Sequence, residues 1–552
     1  MKVFLSVLFF LIYLVPNANS QHYGIAELQV QIKQSIKKAY SASVRVWGFD
    51  TIRKTQNSAQ FSGVVVSAEG HILTVAHAIQ PGRTYKVRFP DGREVMATAL
   101  GRIGLADMQV RPDIGMMKII DKGVWPAAEM GWSYSLKVNE PCISISYPET
   151  LNQLFPSVRF GRIVNVLTKW GFVQSSCKME PGDSGGPLFD YMGRLVAMHS
   201  RCELSENENY EVPIDTYRKY WDLLSVAEDY KALPEPSNEV KADPLVGKIS
   251  SVPDLVDPVS TKELTFNWKN SVIEIRSVFN ELAQSAMGTA FSVDGKSVVV
   301  SKNSIVADHP VISVNGKEFN TEVAARDVEN DLVLLRIAGE LKNSIPLRTM
   351  KNAPVAELEA LGHFLISPLP GDVRKASVIS TAEFNLPRKF SAGYLGAPAN
   401  FKDEKIILSR IAPNSPAAMA KLQAGDQVTG INGIPIDKAE QYGAELVKYN
   451  PGDTIGIRGI REGNNFEVSA ILTKRPIGNH PADRPEGGKS LRLDGFNGVF
   501  SHDAAIRADE CGGPVFDSSG KFYGINIARF SRTSTLIMPA RQVAEFIKSH
   551  IY

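Results

Sequence analysis

Ten residues of this chain, Met179-Glu180-Pro181-Gly182-Asp183-Ser184-Gly185-Gly186-Pro187-Leu188, have the composition expected around a reactive serine. Glycine admits backbone conformations closed to other residues and leaves space beside its neighbours. Such a loop can aim the amide N–H groups of Gly182 and Ser184 at one point, where the oxyanion of a tetrahedral intermediate would form. A hydroxyl is a poor nucleophile without a base and a group that orients the base. Two upstream residues fit those roles. His77 lies among small residues at the end of Gly70-His71-Ile72-Leu73-Thr74-Val75-Ala76-His77-Ala78-Ile79, and Asp113 opens the apolar run Asp113-Ile114-Gly115-Met116-Met117-Lys118-Ile119.

The segments that must hold these three residues read as β. Ser43–Trp47, Gly63–Ser67, His71–Thr74 and Tyr85–Phe89 are short alternating runs separated by Gly, Pro and Asp, the pattern of a sandwich or barrel. A helix with a charged face is expected over Ile25–Tyr40, and an amphipathic closing helix over Asp215–Ala227. The strand Leu195–Arg201 follows the serine loop and should form one wall of a specificity pocket, with His199 part of the wall or core. The chain order His, Asp, Ser is the chymotrypsin order, with spacings of 36 and 71 residues.

On these motifs the domain resembles the HtrA (Deg) family of exported serine proteases. The resemblance implies two six-stranded barrels with the site between them. His77 would take and return the Ser184 proton, and Asp113 would fix the imidazole. It also implies a trimeric assembly. That family more often has Asn where this chain has Asp183, so Asp183 needs a Lys or Arg partner that the sequence does not name.

Composition is ordinary for a globular protein: 552 residues, 43% hydrophobic, 22% charged, net charge +2. Nothing in it points to nucleic acid, and no motif calls for a metal or cofactor. Met1-Lys2, the apolar run Val3–Val15 and Ala18-Asn19-Ser20 read as a signal peptide over 1–20. No other stretch is apolar for long enough to span a membrane, so the expected location is periplasmic or extracellular, without membrane insertion. Export permits disulfides. Of Cys142, Cys177, Cys202 and Cys511, the pair Cys177–Cys202 brackets the Ser184 loop, and Cys142 competes for either partner.

Beyond a Pro- and Asp-rich linker the pattern repeats. Ser271–Ile275 echoes Ser43–Val46, Gly288–Gly295 echoes Gly63–Gly70, Asp331–Ile337 echoes Asp113–Ile119, and Cys511-Gly512-Gly513-Pro514 echoes Ser184-Gly185-Gly186-Pro187. This reads as a second, divergent trypsin-like domain. Its serine position holds Cys511, its acid is Asp331, and its base position falls on Lys302, Asn303 or Ser304, with Ser304 favoured. None is a histidine, and a thiol without an imidazole partner stays mostly protonated.

Within the second domain, Gly393-Tyr394-Leu395-Gly396, Ile406–Ile411, the Asn432-Gly433 turn and the helix from Ala439 to Tyr449 resemble a PDZ domain of the HtrA type. The resemblance implies that the amides of Gly393–Gly396 capture the carboxylate of a C-terminal peptide.

The expected architecture is mainly β, with two chymotrypsin-like double β-barrel domains in tandem and an α+β PDZ domain inserted in the second. The boundaries are 1–20 leader, 21–235 protease domain, 236–262 linker, 263–390 and 477–552 degenerate domain, and 391–476 PDZ. The expected function is endopeptidase action on unfolded or misfolded polypeptides. The alternative is a non-catalytic peptide-binding or chaperone scaffold.

Overall fold

A computed structural model describes residues 24–105, 112–151, 153–245, 271–279, 281–314, 317–337, 339–342 and 344–551. The leader read at 1–20 and linker residues 246–262 lie outside this set.

The first barrel is built from β1 (Ser43–Asp50), β2 (Thr55–Val65), β3 (His71–Thr74), β4 (Thr84–Arg88), β5 (Glu94–Gly104) and β6 (Asp113–Ile119). Strand order is β5-β4-β1-β2-β3-β6, and pairing of β5 with β6 closes it. Period-2 patterning sets the inside: in β5, Val95, Ala97, Ala99 and Ile103 are buried while alternate residues are not. The second barrel, β7 (Pro141–Ser146), β8 (Ser157–Asn165), β9 (Val173–Ser175), β10 (Pro187–Asp190), β11 (Leu195–Cys202) and β12 (Asn209–Pro213), is closed in the order β10-β11-β12-β9-β8-β7. One apolar core joins the barrels, with Val64, Leu73, Ile114 and Met116 from the first meeting Ile143, Phe189, Met198 and Val212 from the second.

The helix α1 (Ile25–Ala39) buries Ile25, Leu28, Ile32 and Ile36 at helical spacing. Its core cluster also takes Leu361 and Phe364 of the second domain, and the Gln29 side chain accepts the Phe364 N–H at 2.8 Å. The expected closing helix is two shorter pieces, Ile214–Lys219 and Trp221–Leu224, because Tyr220 leaves helical geometry (φ −110°, ψ 17°). The start of the expected linker is not free: Asp243 is buried, pairs with Arg194 at 3.2 Å and accepts the Ser135 hydroxyl at 2.9 Å.

The second domain repeats the plan. Val272–Phe279, Leu282–Val293, Lys296–Lys302, Val311–Val314, Lys317–Asp327 and Leu332–Ile337 close into a barrel in the same order. Its other sheet is open, running Arg374–Val378, Phe364–Pro368, Pro514–Asp517, Phe522–Arg529, Thr535–Pro539, Phe496–His502 and Phe384–Leu386. The pairing that corresponds to β8 with β9 is reduced to one bridge, Ile379 to His502. The PDZ domain enters the chain between those two partners, which explains the loosened seam. Its sheet runs Ala399–Lys402, Lys405–Leu408, Gln427–Ile431, Thr454–Arg461, Asn464–Ile471, with Ala399–Lys402 at an edge. The chain closes on a helix, Ala540–Ile551, that the sequence reading did not anticipate.

Candidate active site

Strand register brings His77 to Asp113. β3 pairs antiparallel with β6, Thr74 opposite Gly115, so the turn after β3 lies beside the start of β6. The His77 N–H donates to Asp113 Oδ1 at 3.1 Å, and its Nδ1 lies 2.8 Å from Oδ2. With Nδ1–H given to the carboxylate, Nε2 carries the lone pair. The Ser200 hydroxyl on β11 donates to the same Oδ2 at 2.6 Å.

Burial alone would raise the Asp113 carboxyl, but the His77 hydrogen bond and charge, then Ser200, outweigh it and hold it below the usual range. Burial alone would lower the His77 imidazole, but Asp113 outweighs that and the net shift is upward. The His77 turn is braced from behind. Arg102 donates to the carbonyls of Ala76 (3.2 Å) and Ile79 (2.7 Å) and pairs with Asp229, whose carboxyl is held down to about 2 chiefly by that contact. Ser200 and Arg102 carried no signal in the sequence, because a lone Ser or Arg on a strand has no local pattern.

The Ser184 loop crosses from the second barrel to the first. Gly182 and Gly185 have φ of +96° and +76°, conformations that favour glycine. A Cβ on Gly185 would lie 2.0 Å from Thr74 Oγ1. The Ser184 carbonyl accepts the Ser62 N–H of β2 at 2.9 Å, and the Ser62 hydroxyl donates to the Gly182 carbonyl at 2.8 Å. Ser184 itself is half-buried. Its Oγ makes no hydrogen bond to the His77 ring among the described residues. The amides of Gly182 and Ser184 donate to no protein acceptor among the described residues.

The partner of Asp183 is Arg159 on β8. Its two terminal nitrogens bind the two carboxylate oxygens at 2.9 and 3.0 Å, and both side chains are buried. Ser146 and the Glu180 N–H complete the carboxylate at 2.8 and 2.9 Å. The nearby His199 is buried, with Nε2 on Ser144 at 2.6 Å and Nδ1 3.3 Å from Glu211. Burial pushes the Glu211 carboxyl up to about 7.

The cysteine expectation needs correcting. All four cysteines are free, and the sulfurs that approach each other, at 3.9 Å, are those of Cys142 and Cys177 rather than Cys177 and Cys202. Cys202 lies at the end of β11 and Cys177 follows β9, with β12 between those strands. No metal-binding cluster occurs among the described residues.

The second domain reproduces the backbone of this site with different side chains. The Ser304 N–H donates to Asp331 Oδ1 at 2.7 Å and its hydroxyl to Oδ2 at 3.0 Å, the contacts His77 makes with Asp113. The Cys511 carbonyl accepts the Met287 N–H, as that of Ser184 accepts Ser62, and the Gly512 N–H reaches Asn526 as that of Gly185 reaches His199. A new group, Lys302, is fully buried and puts its ammonium 2.5 Å from Asp331 Oδ2 and 2.8 Å from the Ile527 carbonyl. The Cys511 thiol is buried and pushed up by that burial. His502 bonds Asn526 at 2.8 Å and is pushed down to about 4 by burial, while His309 lies in the loop before strand Val311–Val314.

In the PDZ domain, two of the four expected amides are already used. Gly393 donates to the Tyr449 carbonyl and Tyr394 to that of Thr473. Among the described residues the amides of Leu395, Gly396 and Ala397 have no protein acceptor. Gly396 has φ +83° and packs where a Cβ would meet that of Ser415 at 2.3 Å. Tyr442, on helix Ala439–Leu446, donates to the Ala397 carbonyl at 2.6 Å.

Residues 61–198 match the model of a trypsin-like peptidase domain, and residues 393–472 that of a PDZ domain. A protein from Pseudomonas savastanoi pv. phaseolicola named "Probable periplasmic serine endoprotease DegP-like" is 24% identical over 484 residues, 83% of this chain and 88% of its own. A protein of the same name from Halomonas elongata is 23% identical over 426 residues, 75% of this chain and 79% of its own. The crystal structure of the serine endoprotease from Yersinia pestis aligns over 81% of this chain and 98% of its own, at 15% identity and a TM-score of 0.31. No helix among the described residues is long and apolar enough to cross a membrane. The chain thus carries a trypsin-like peptidase domain and a PDZ domain, and along most of its length it is similar to proteins named as DegP-like serine endoproteases.

Proposed function

We propose that the first domain hydrolyses peptide bonds of exported polypeptides with Ser184 as nucleophile, His77 as general base and acid, and Asp113 as the group that orients His77. The observation that carries this is the His77–Asp113–Ser200 network beside a loop whose Gly182 and Ser184 amides have no protein acceptor. Substrate entry would bring Ser184 Oγ and His77 Nε2 to bonding distance, since such contacts often tighten only in the complex. Ser184 Oγ then attacks the carbonyl carbon as its proton passes to Nε2. The two amides receive the oxyanion, and the imidazolium, steadied by Asp113, protonates the leaving amine. Water attacks the acyl-enzyme by the reverse proton path and releases the acid.

The second domain is read as catalytically silent. Asp331 is already engaged by Lys302 and Ser304, and among the described residues the Cys511 thiol bonds Ser490 and the Arg507 carbonyl rather than an imidazole. The PDZ domain is read as a receptor for a chain-terminal carboxylate on the Leu395–Ala397 amides, with the peptide pairing along the edge strand Ala399–Lys402.

Cleavage of a reduced, unfolded protein tests the reading. The full mature chain should degrade it, Cys511→Ala should degrade it equally, and Ser184→Ala should not. Degradation by Ser184→Ala would refute the assignment.

A further inference from the structure

The two protease-fold domains meet through equivalent loops. In the first domain the loop after β11 covers residues 203–208. In the second, residues 530–534 connect the matching strands Phe522–Arg529 and Thr535–Pro539. Ser531, Arg532, Thr533 and Ser534 are polar, yet none exposes any surface. Burying such groups is unfavourable unless each finds a partner: the Ser531 and Ser534 hydroxyls lie beside that of Thr533 within the loop, while Arg532 and Thr533 find partners on the catalytic side. Arg532 donates to the carbonyls of Glu203 and Ser205, both at 2.6 Å, and Arg529 pairs with Glu206 at 2.8 Å.

Two further contacts lead to the Ser184 loop, one directly and one through Asn209 of β12. Arg532 lies 3.4 Å from Asn209 Oδ1, the atom that accepts the Met179 N–H at 3.2 Å. The Thr533 hydroxyl donates to Glu180 Oε2 at 3.0 Å, while the other oxygen of that buried carboxylate accepts the Thr150 hydroxyl. Glu180 also makes the base of the Ser184 turn. Its N–H donates to Asp183 Oδ2 at 2.9 Å and its carbonyl accepts the Asp183 N–H at 3.0 Å. The turn that presents the Gly182 and Ser184 amides is therefore anchored on one side by Arg159 of its own domain and on the other by the second domain.

We infer that Thr533 is a positioning residue for the Ser184 loop, and that the second domain serves as a built-in part of the first domain's active site. The inference rests on the proposed serine mechanism and adds to it a reason for a silent domain to be retained. Removing the Thr533 hydroxyl leaves one lone pair of a buried carboxylate without a donor, and the turn shifts to find another. Thr533→Val preserves shape, and Thr533→Ser preserves the donor.

The experiment uses the full mature chain and a chromogenic peptide substrate. Thr533→Val is expected to lower kcat by roughly tenfold or more, the scale of a lost hydrogen bond to a charged group, with KM within about twofold. Thr533→Ser should recover most of the rate. Hydrogen exchange at the amides of 179–184 should speed up in Thr533→Val with the rest of the first domain unchanged. Wild-type kcat in a folded Thr533→Val, equal impairment of Thr533→Ser, or unchanged exchange at 179–184 would each overturn the inference. Silence of the wild type towards substrate would count against the serine mechanism instead, and exchange would still judge Thr533.

Discussion

Arg159 and Asp183 form a two-pronged ion pair, 2.9 and 3.0 Å long, beneath the turn that carries Ser184. Burial alone would lower the Arg159 guanidinium, but Asp183 outweighs it and the shift is upward. Breaking a buried pair from one side leaves an uncompensated charge, which costs about 3–5 kcal/mol. Arg159→Gln should therefore lower unfolding stability by about that amount and remove activity at temperatures where the chain is still folded. Urea melts paired with activity assays check this. A fully active, equally stable variant would show that Asp183 has found another partner.

The pH dependence follows from His77. In the proposed mechanism the base form of His77 is the active one, and Asp113 lifts the imidazole above its ordinary value. The acidic limb of kcat/KM should therefore have its midpoint above about 6.5. In Asp113→Asn the upward influence is gone, and what remains, burial and the charge of Arg201, acts downward. That limb should move to lower pH while kcat falls by roughly 10⁴-fold, the loss seen when a triad acid is neutralised. For stability the signs oppose. The His77 contribution is complete below its unfolded value and fades as pH rises through the raised one. The Asp113 contribution is present above its unfolded value and fades as pH falls through the lowered one. Proton uptake and rate profiles together check both.

The second site should resist simple repair. Ser304→His with Cys511→Ser restores two side chains but leaves the Lys302 ammonium on Asp331. In a Ser184→Ala background this double variant should remain unlabelled by a fluorophosphonate. Labelling at position 511 would show that Lys302 does not block the acid.

Gly396 tests the PDZ pocket separately. Valine there would need φ near +83° and would press into Ser415. Gly396→Val should abolish binding of a peptide with a free apolar C-terminus, followed by fluorescence anisotropy, while peptide hydrolysis at Ser184 keeps its wild-type kcat. The amidated peptide should fail to bind the unmodified chain as well.

Much of this molecule could be read from its residues. Alternation in runs such as Ser43–Trp47 and Tyr85–Phe89 pointed to a barrel, and the glycines around Ser184 pointed to the loop. The repeat of Asp113–Ile119 in Asp331–Ile337 gave the second domain. What escaped was non-local. Arg159 lies 24 residues from Asp183 in sequence and Thr533 lies 353 from Glu180, and neither has a neighbour that marks its role. In the sequence Lys302 is one of three residues that fit the base position, because its burial against Asp331 depends on strand register. The Cys177–Cys202 pairing failed for the same reason: distance along the chain suggested it, and strand order in the barrel placed Cys142 beside Cys177 instead.

The most direct test of the central claim is active-site labelling of the mature chain with a fluorophosphonate, read by mass spectrometry on proteolytic fragments. A single adduct at Ser184, lost in Ser184→Ala and in His77→Ala and kept in Cys511→Ala, is the predicted result. A folded wild type with no adduct, or with its adduct at another residue, would contradict the account.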